Sequence, residues 1–277
     1  IVVGNGGNAT TIASGSTLTI ASSTGAFQTV GPLNGPGSLA VAVGGAVSFA
    51  DSVGATTPLG SLNIQQAVNA TFSAAVSAGT LTLGSSLTGT VTLADTVTLT
   101  NGLTAGAGAY SLLLEGDASI AGASTFNNTG TLTLGKGGST TSTFNSGLTA
   151  TAPSAVIIAG NLTTTTFASG LILGDANTAL SFTDTANLTT NNGTVTLSAS
   201  TLGTGVTLGV NSGLGAISLD QIANGKSATG TLLQLAGGAL TASGSLDVDA
   251  LSLSNSSATF SSVVGATIAP VLTVLAP

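Results

Sequence analysis

Short apolar runs of Leu, Val, Ile and Phe recur along this chain, mostly six to twelve residues apart, each flanked by Thr, Ser, Ala, Asn or Gly. That rhythm admits few folds. Apolar and small polar residues alternate inside each run, the two-residue period of a strand with one buried face. Charged helix formers are nearly missing, β-branched residues are dense, and 40 glycines punctuate the sequence. The chain therefore reads as all-β, with strands expected at 16–20, 38–43, 46–49, 61–64, 80–83, 90–93, 96–100, 111–114 and 131–134. Further strands are expected at 155–158, 171–173, 193–197, 205–208, 216–219, 231–235, 245–248 and 259–263. The stretch 221–230 reads as an irregular loop and 266–277 as a strongly apolar strand.

Phenylalanine gives the clearest sign of a repeat, because seven of the eight follow Ser or Thr directly, Phe27 being the exception. From Phe27 to Phe49 and on to Phe72 the gaps are 22 and 23 residues, and from Phe126 to Phe144 and on to Phe167 they are 18 and 23. Gly102-Leu103-Thr104-Ala105 returns as Gly147-Leu148-Thr149-Ala150, a shift of 45, or two such units. An imperfect period near 22 marks a parallel β-helix, in which loops vary while inward residues stack. At about 4.8 Å per coil, residues 1–277 would make roughly twelve or thirteen coils, a single elongated β-solenoid domain on the order of 60 Å long. Asn-Gly steps at Asn5, Asn34, Asn101, Asn192 and Asn224 are expected at corners, where positive φ is needed.

Only 4% of the residues are charged, against about 25% in an ordinary soluble domain. Hydroxyls and amides of Thr, Ser and Asn must wet the outward face instead. Nine acids stand against two lysines, Lys136 and Lys226, for a net charge of −7, so the basic footprint that nucleic acid requires is missing. The absence of Cys removes disulfides, thiolate chemistry and Cys-based metal sites. No apolar run approaches the ~18 residues that would span a bilayer, and membrane insertion is not expected. The sequence starts at Ile1 and holds no Met, which fits a processed product or a segment of a longer chain.

One stretch carries more specific information. Gly106-Ala107-Gly108, the run 111–114, Gly116, Gly122, Thr125-Phe126-Asn127 and Gly130-Thr131-Leu132-Thr133-Leu134-Gly135 together resemble a passenger-associated repeat. In motif over 106–135, and in composition over most of its length, the chain is similar to the repeat regions of autotransporter passengers and filamentous-haemagglutinin-type bacterial adhesins. The resemblance implies a right-handed parallel β-helix and a role in display, adhesion or assembly outside the cell.

Two acid pairs, Glu115 with Asp117 and Asp247 with Asp249, have the spacing that would put both carboxylates on one strand face. Clustered carboxylates can serve polysaccharide cleavage when basic residues or calcium complete the site. With no Arg or His and two lysines, the pairs read as solvated outward acids, and no catalytic residue, metal or cofactor is expected. Thr-x-Thr steps such as Thr80 with Thr82 and Thr131 with Thr133 raise an ice-binding face. Their irregular intervals argue against a planar array, and Thr is a favoured outward strand residue in any case.

The reading that results is a non-enzymatic structural protein, secreted or on the bacterial cell surface, that assembles with itself into a fibre, sheath or surface layer. Little charge opposes association. The open ladder ends at Ile1, Val2 and Val3 and at Val271, Leu272, Val274 and Leu275 are the expected contacts. The alternatives are a monomeric adhesin segment that binds glycans or neighbouring cells, and a carbohydrate-active β-helix enzyme built on Glu115, Asp117 and a lysine.

Overall fold

A computed structural model describes residues 1–4, 6–224 and 229–261, together with the backbone of the strand Val271–Val274. The described chain is all-β, and its parallel sheets stack as a β-solenoid with about 22 residues per turn. About 12 turns gather into two compact units, Ile1–Thr133 and Leu134–Pro277.

In the first unit one parallel sheet runs through Val2–Val3, Phe27–Thr29, Val47–Phe49, Ala70–Phe72, Thr90–Leu93 and Ser111–Leu114, in that order. Elsewhere on the turn, Val97–Ala105 pairs at one end with Ala118–Ile120 and at the other with Ser124–Phe126. The later turns thus carry three strand runs each.

Alternation decides which side chains point inward. In Ser38–Val43 the residues Leu39, Val41 and Val43 are buried, while Ser38, Ala40 and Ala42 are half-exposed. Parallel register then sets each inward residue on its counterpart one turn away: Leu39 on Leu62, Leu62 on Leu81, and Leu81 on Leu103. Each such fully buried aliphatic contributes about 1.5–3 kcal/mol, and the neighbouring turns supply much of that burial. The outward columns mix their residues. Thr19, Ala40, Asn63, Thr82, Thr104 and Thr125 follow one another, so no unbroken threonine array forms there.

Phe49 and Phe72 occupy equivalent places and stack with ring centroids 4.4 Å apart and planes 7° from parallel, worth about 0.5–1.5 kcal/mol beyond burial. Phe27 does not continue that column. Its register partner is Val47, and it meets Phe49 edge-on at 5.5 Å and 71°. Its 22-residue gap is therefore a 20-residue turn plus a two-residue offset along the strand. In the second series of gaps, Phe126 and Phe144 end two strands and are buried, whereas Phe167 sits in a turn and is 71% exposed.

The second unit repeats the plan. One sheet runs through Ala155–Ile158, Ala179–Phe182, Ser200–Leu202 and Ile222–Asn224. Another runs through Thr141–Phe144, Asn161–Thr163, Ala186–Thr189, Thr207–Asn211, Leu232–Ala242 and Ala250–Phe260. Leu162, Leu188, Val210, Leu235 and Leu253 form an inward column of the latter sheet.

Several expected elements differ. Residues 245–248 form no strand, only an isolated bridge from Leu246 to Ile222, because the segment is bent where Asp249 binds Thr231. Within 221–230, Ile222–Asn224 is a strand, and 225–228 lie outside the described residues. The strand expected at 259–263 is the end of Ala250–Phe260, with 262 and 263 outside the described residues. Of 266–277, only the backbone of Val271–Val274 is described.

Corners follow the expected chemistry in part. Gly35 has φ of +114°, and any Cβ there would meet the backbone of Ile12, so Asn34-Gly35 is a corner only glycine fits. At Asn192-Gly193 it is the asparagine that takes positive φ, +60°, as Asn tolerates. Asn101-Gly102 lies inside Val97–Ala105 instead, next to a register shift. Asn5 and Gly225 lie outside the described residues.

Tyr110, the single tyrosine, is fully buried. Its hydroxyl lacks a well-formed hydrogen bond, and burial pushes the phenol far above its ordinary acidity range, the Gly106 backbone opposing this in part. The folded value lies above the unfolded one. Stability from the neutral phenol is therefore fully present below about pH 10 and declines as pH rises beyond it. With no Trp in the chain, phenolate absorbance is a clean probe. It should appear only together with loss of β-sheet circular dichroism; a reversible titration near pH 10 in the folded protein would contradict the burial. In urea denaturation, Phe72→Ala should lower the unfolding free energy by about 3–5 kcal/mol, and Phe167→Ala by less than about 0.5 kcal/mol.

Candidate functional site

The strand Val2–Val3 edges the first unit's sheet. It pairs on one side, Val2 with Gln28 and Val3 with Thr29, and has no strand on its other side among the described residues. Gln28 N donates to Ile1 O at 2.9 Å and Val30 N to Val3 O at 2.8 Å. Because the bonding of a parallel strand alternates between its two sides, Val2 turns its own N–H and C=O to the open side. Ile1 is 52% and Val2 63% exposed, and Val3 is half-buried. Unpaired backbone groups beside exposed aliphatic side chains are what an added strand requires.

Of the other expected contacts, Val271, Leu272 and Val274 lie in a strand whose backbone pairs with residues 250–253. Their side chains, and Leu275 altogether, lie outside the described residues. A second strand stretch with a partner on one side only, among the described residues, went unmarked in the sequence. Ala250–Phe260 is paired along its length with Leu232–Ala242, yet on its far side only 250–253 have a described partner. Ser256, Ser257, Ala258, Thr259 and Phe260 are exposed. Small polar residues disguise this edge as a loop, and only the run of strand-compatible residues through Thr259 and Phe260 hinted at it.

The acid pairs are not on strand faces. Glu115 and Asp117 flank Gly116 in the bend between Ser111–Leu114 and Ala118–Ile120. Their backbones serve the neighbouring turns, Glu115 N donating to Leu93 O and Asp117 O accepting from Val97 N, both at 2.9 Å. Asp247 and Asp249 also sit in a bend. Asp249 Oδ2 accepts from Thr231 N at 2.9 Å and Asp249 N donates to Thr231 Oγ1 at 3.1 Å. Thr231 Oγ1 in turn donates to Asn224 Oδ1 at 2.6 Å. This is a clamp that ties Thr231 to both Asn224 and Asp249. Among the described residues, no three carboxylates converge as a metal ion would need.

A groove of about 250 Å³ lies on the outward face of the second unit. Its long walls are two outward columns that cross four successive turns. Asn187, Gly209, Gln234 and Ser252 make one; Thr189, Asn211, Ala236 and Ser254 make the other. Gly209 opens the notch, because a Cβ there would stand 2.5 Å from Asn187 Oδ1. Asn187 is held by Asn161, whose Oδ1 accepts from both Asn187 N and Asn187 Nδ2 at 3.0 Å. No charged side chain lines the groove.

The Asp249 clamp makes a direct prediction. Asp249→Ala should destabilise the second unit by about 1.5–3 kcal/mol, while Asp249→Asn, which keeps an acceptor for Thr231 N, should restore most of the loss in thermal denaturation. Set against protein-family models, curated proteins and solved structures, the chain matches none.

Proposed function

We propose that this chain is a structural, extracellular or cell-surface protein that assembles with itself into a fibre, sheath or surface layer. It would be built like the β-helix repeats of autotransporter passengers and filamentous-haemagglutinin-type adhesins. The observation that carries the reading is that Val2–Val3 pairs on one side only among the described residues, with Ile1 and Val2 exposed. Edges of this kind are ordinarily blocked by charge, proline or a covering loop. Here the side chains of Ile1, Val2 and Val3 are uncharged and none of the three is proline. A net charge of −7 spread over 277 residues gives only weak repulsion between copies.

A second reading, an adhesin segment that binds glycans, is favoured by the uncharged groove on the second unit. The enzymatic alternative draws no support from Glu115 and Asp117, which sit in a bend with backbone roles.

Val2→Pro tests the assembly reading, because it deletes an N–H that faces the open side and leaves the carbonyl of Ile1 to Gln28 N and that of Val3 to Val30 N. Val2→Lys adds a charge at the same edge. Each should raise the concentration at which light scattering and electron microscopy detect assemblies by about tenfold or more, the equivalent of ~1.4 kcal/mol per contact. Assembly unchanged by both substitutions would overturn the reading.

A further inference from the structure

We infer that the groove on the second unit binds a neutral oligosaccharide lying across the turns, along the direction in which they stack. This rests on the adhesin reading and adds the site and the ligand class.

Three features select the class. The groove sets amides and hydroxyls in a mostly carbon lining and has no charged side chain, so it offers no charged partner to a phosphate, a carboxylate or an ammonium group. The side chains of Gln234, Ser252 and Ser254 make no hydrogen bond among the described residues and are half-buried or exposed, so they are available to a ligand. The backbone beneath is spent. Leu188, Val210 and Leu235 are in ladder register with one another on successive turns, so an extended peptide would find no free strand edge there to pair with. A ligand covered in hydroxyls needs none.

Spacing supplies the length. Turns repeat about every 4.8 Å, so the four lining turns present hydrogen-bonding groups over roughly 14 Å. One pyranose unit is about as long as one turn is high. An oligosaccharide of about three units laid along the columns meets Asn187, then the notch at Gly209, then Gln234 and Ser252 on one side. Asn211 and Ser254 face it from the other. Gly209 and Ala236 leave room for the ring faces between these groups, because neither carries a side chain beyond Cβ.

Isothermal titration with cellohexaose, mannohexaose and N-acetylchitohexaose, and with oligogalacturonate as an acidic control, tests the site. The expected result is binding of at least one neutral hexasaccharide, unchanged between low and high salt and stronger than that of oligogalacturonate. Gln234→Ala should weaken it about five- to tenfold, as loss of a neutral hydrogen-bonding amide does. Ala236→Leu, which fills the groove from an outward position, should abolish it. Circular dichroism should show both variants folded, since both positions face outward. Binding that survives both substitutions would overturn this site while leaving the adhesin reading standing. Absence of binding to every neutral probe, or preference for oligogalacturonate, would overturn both. Self-assembly measured on the same variants should not change, because the Val2–Val3 edge lies in the other unit.

Discussion

Leu39 rests on Leu62, Leu62 on Leu81 and Leu81 on Leu103, and the rest of the first unit is arranged so that this can happen. The three steps are 23, 19 and 22 residues long, yet every member is buried. Turn length is thus free to vary and inward register is not. A one-residue slip would turn every inward side chain outward, so surplus or missing residues are absorbed in corners and bulges. The register shifts between Ala78 and Thr80 and between Leu83 and Ser86 are where this absorption shows. Gly35 shows the same constraint at a corner, where only a residue without Cβ lets one turn lie against Ile12 of the turn before.

That constraint explains what could be read in advance. Strands such as Ser38–Val43, Thr90–Leu93, Ser111–Leu114, Thr131–Leu134 and Ala155–Ile158 were legible to the residue because their inward positions are all large aliphatics. Ser200–Leu202 and Thr141–Phe144 were not, since Ser200 and Ser142 are the inward, buried residues there. Each occupies a place where its neighbours in register, Leu180 and Ile222 for Ser200 and Leu162 for Ser142, are aliphatic. A serine in such a place looks like surface in a linear sequence. Aromatic spacing failed differently: Phe27 and Phe49 gave the period correctly while belonging to different columns. The average survived because offsets along the strand and variation in turn length are of the same size.

Site features were harder to read than the fold, for a reason of geometry. Glu115 and Asp117 have strand spacing, but the two-residue rule holds only where the backbone is extended, and Gly116 marks a bend. The groove was invisible because its columns unite residues 22, 25 and 18 positions apart, from Asn187 through Gly209 and Gln234 to Ser252. Its clue was negative. Gly209 is a glycine inside a strand, without positive φ, and such a glycine marks a close approach or an opening on the surface.

Inward columns claim the aliphatic residues, and the outward positions are left to carry whatever the protein does. In this chain those positions are almost free of charge, so long-range steering contributes little, and selectivity has to come from short-range hydrogen bonding and shape. Such contacts gain strength by repetition. Stacked turns repeat outward positions at one interval, many of them carrying a neutral hydrogen-bonding group, and a ligand or partner with a matching interval engages several at once while a mismatched one engages few. Another strand meets this condition at an open ladder edge, through its own backbone period. A polymer of similar sugar units meets it on a turn face. Both partners suit a surface with few charges, because each satisfies neutral hydrogen-bonding groups in series, and neither relies on a charged anchor that this sequence does not provide.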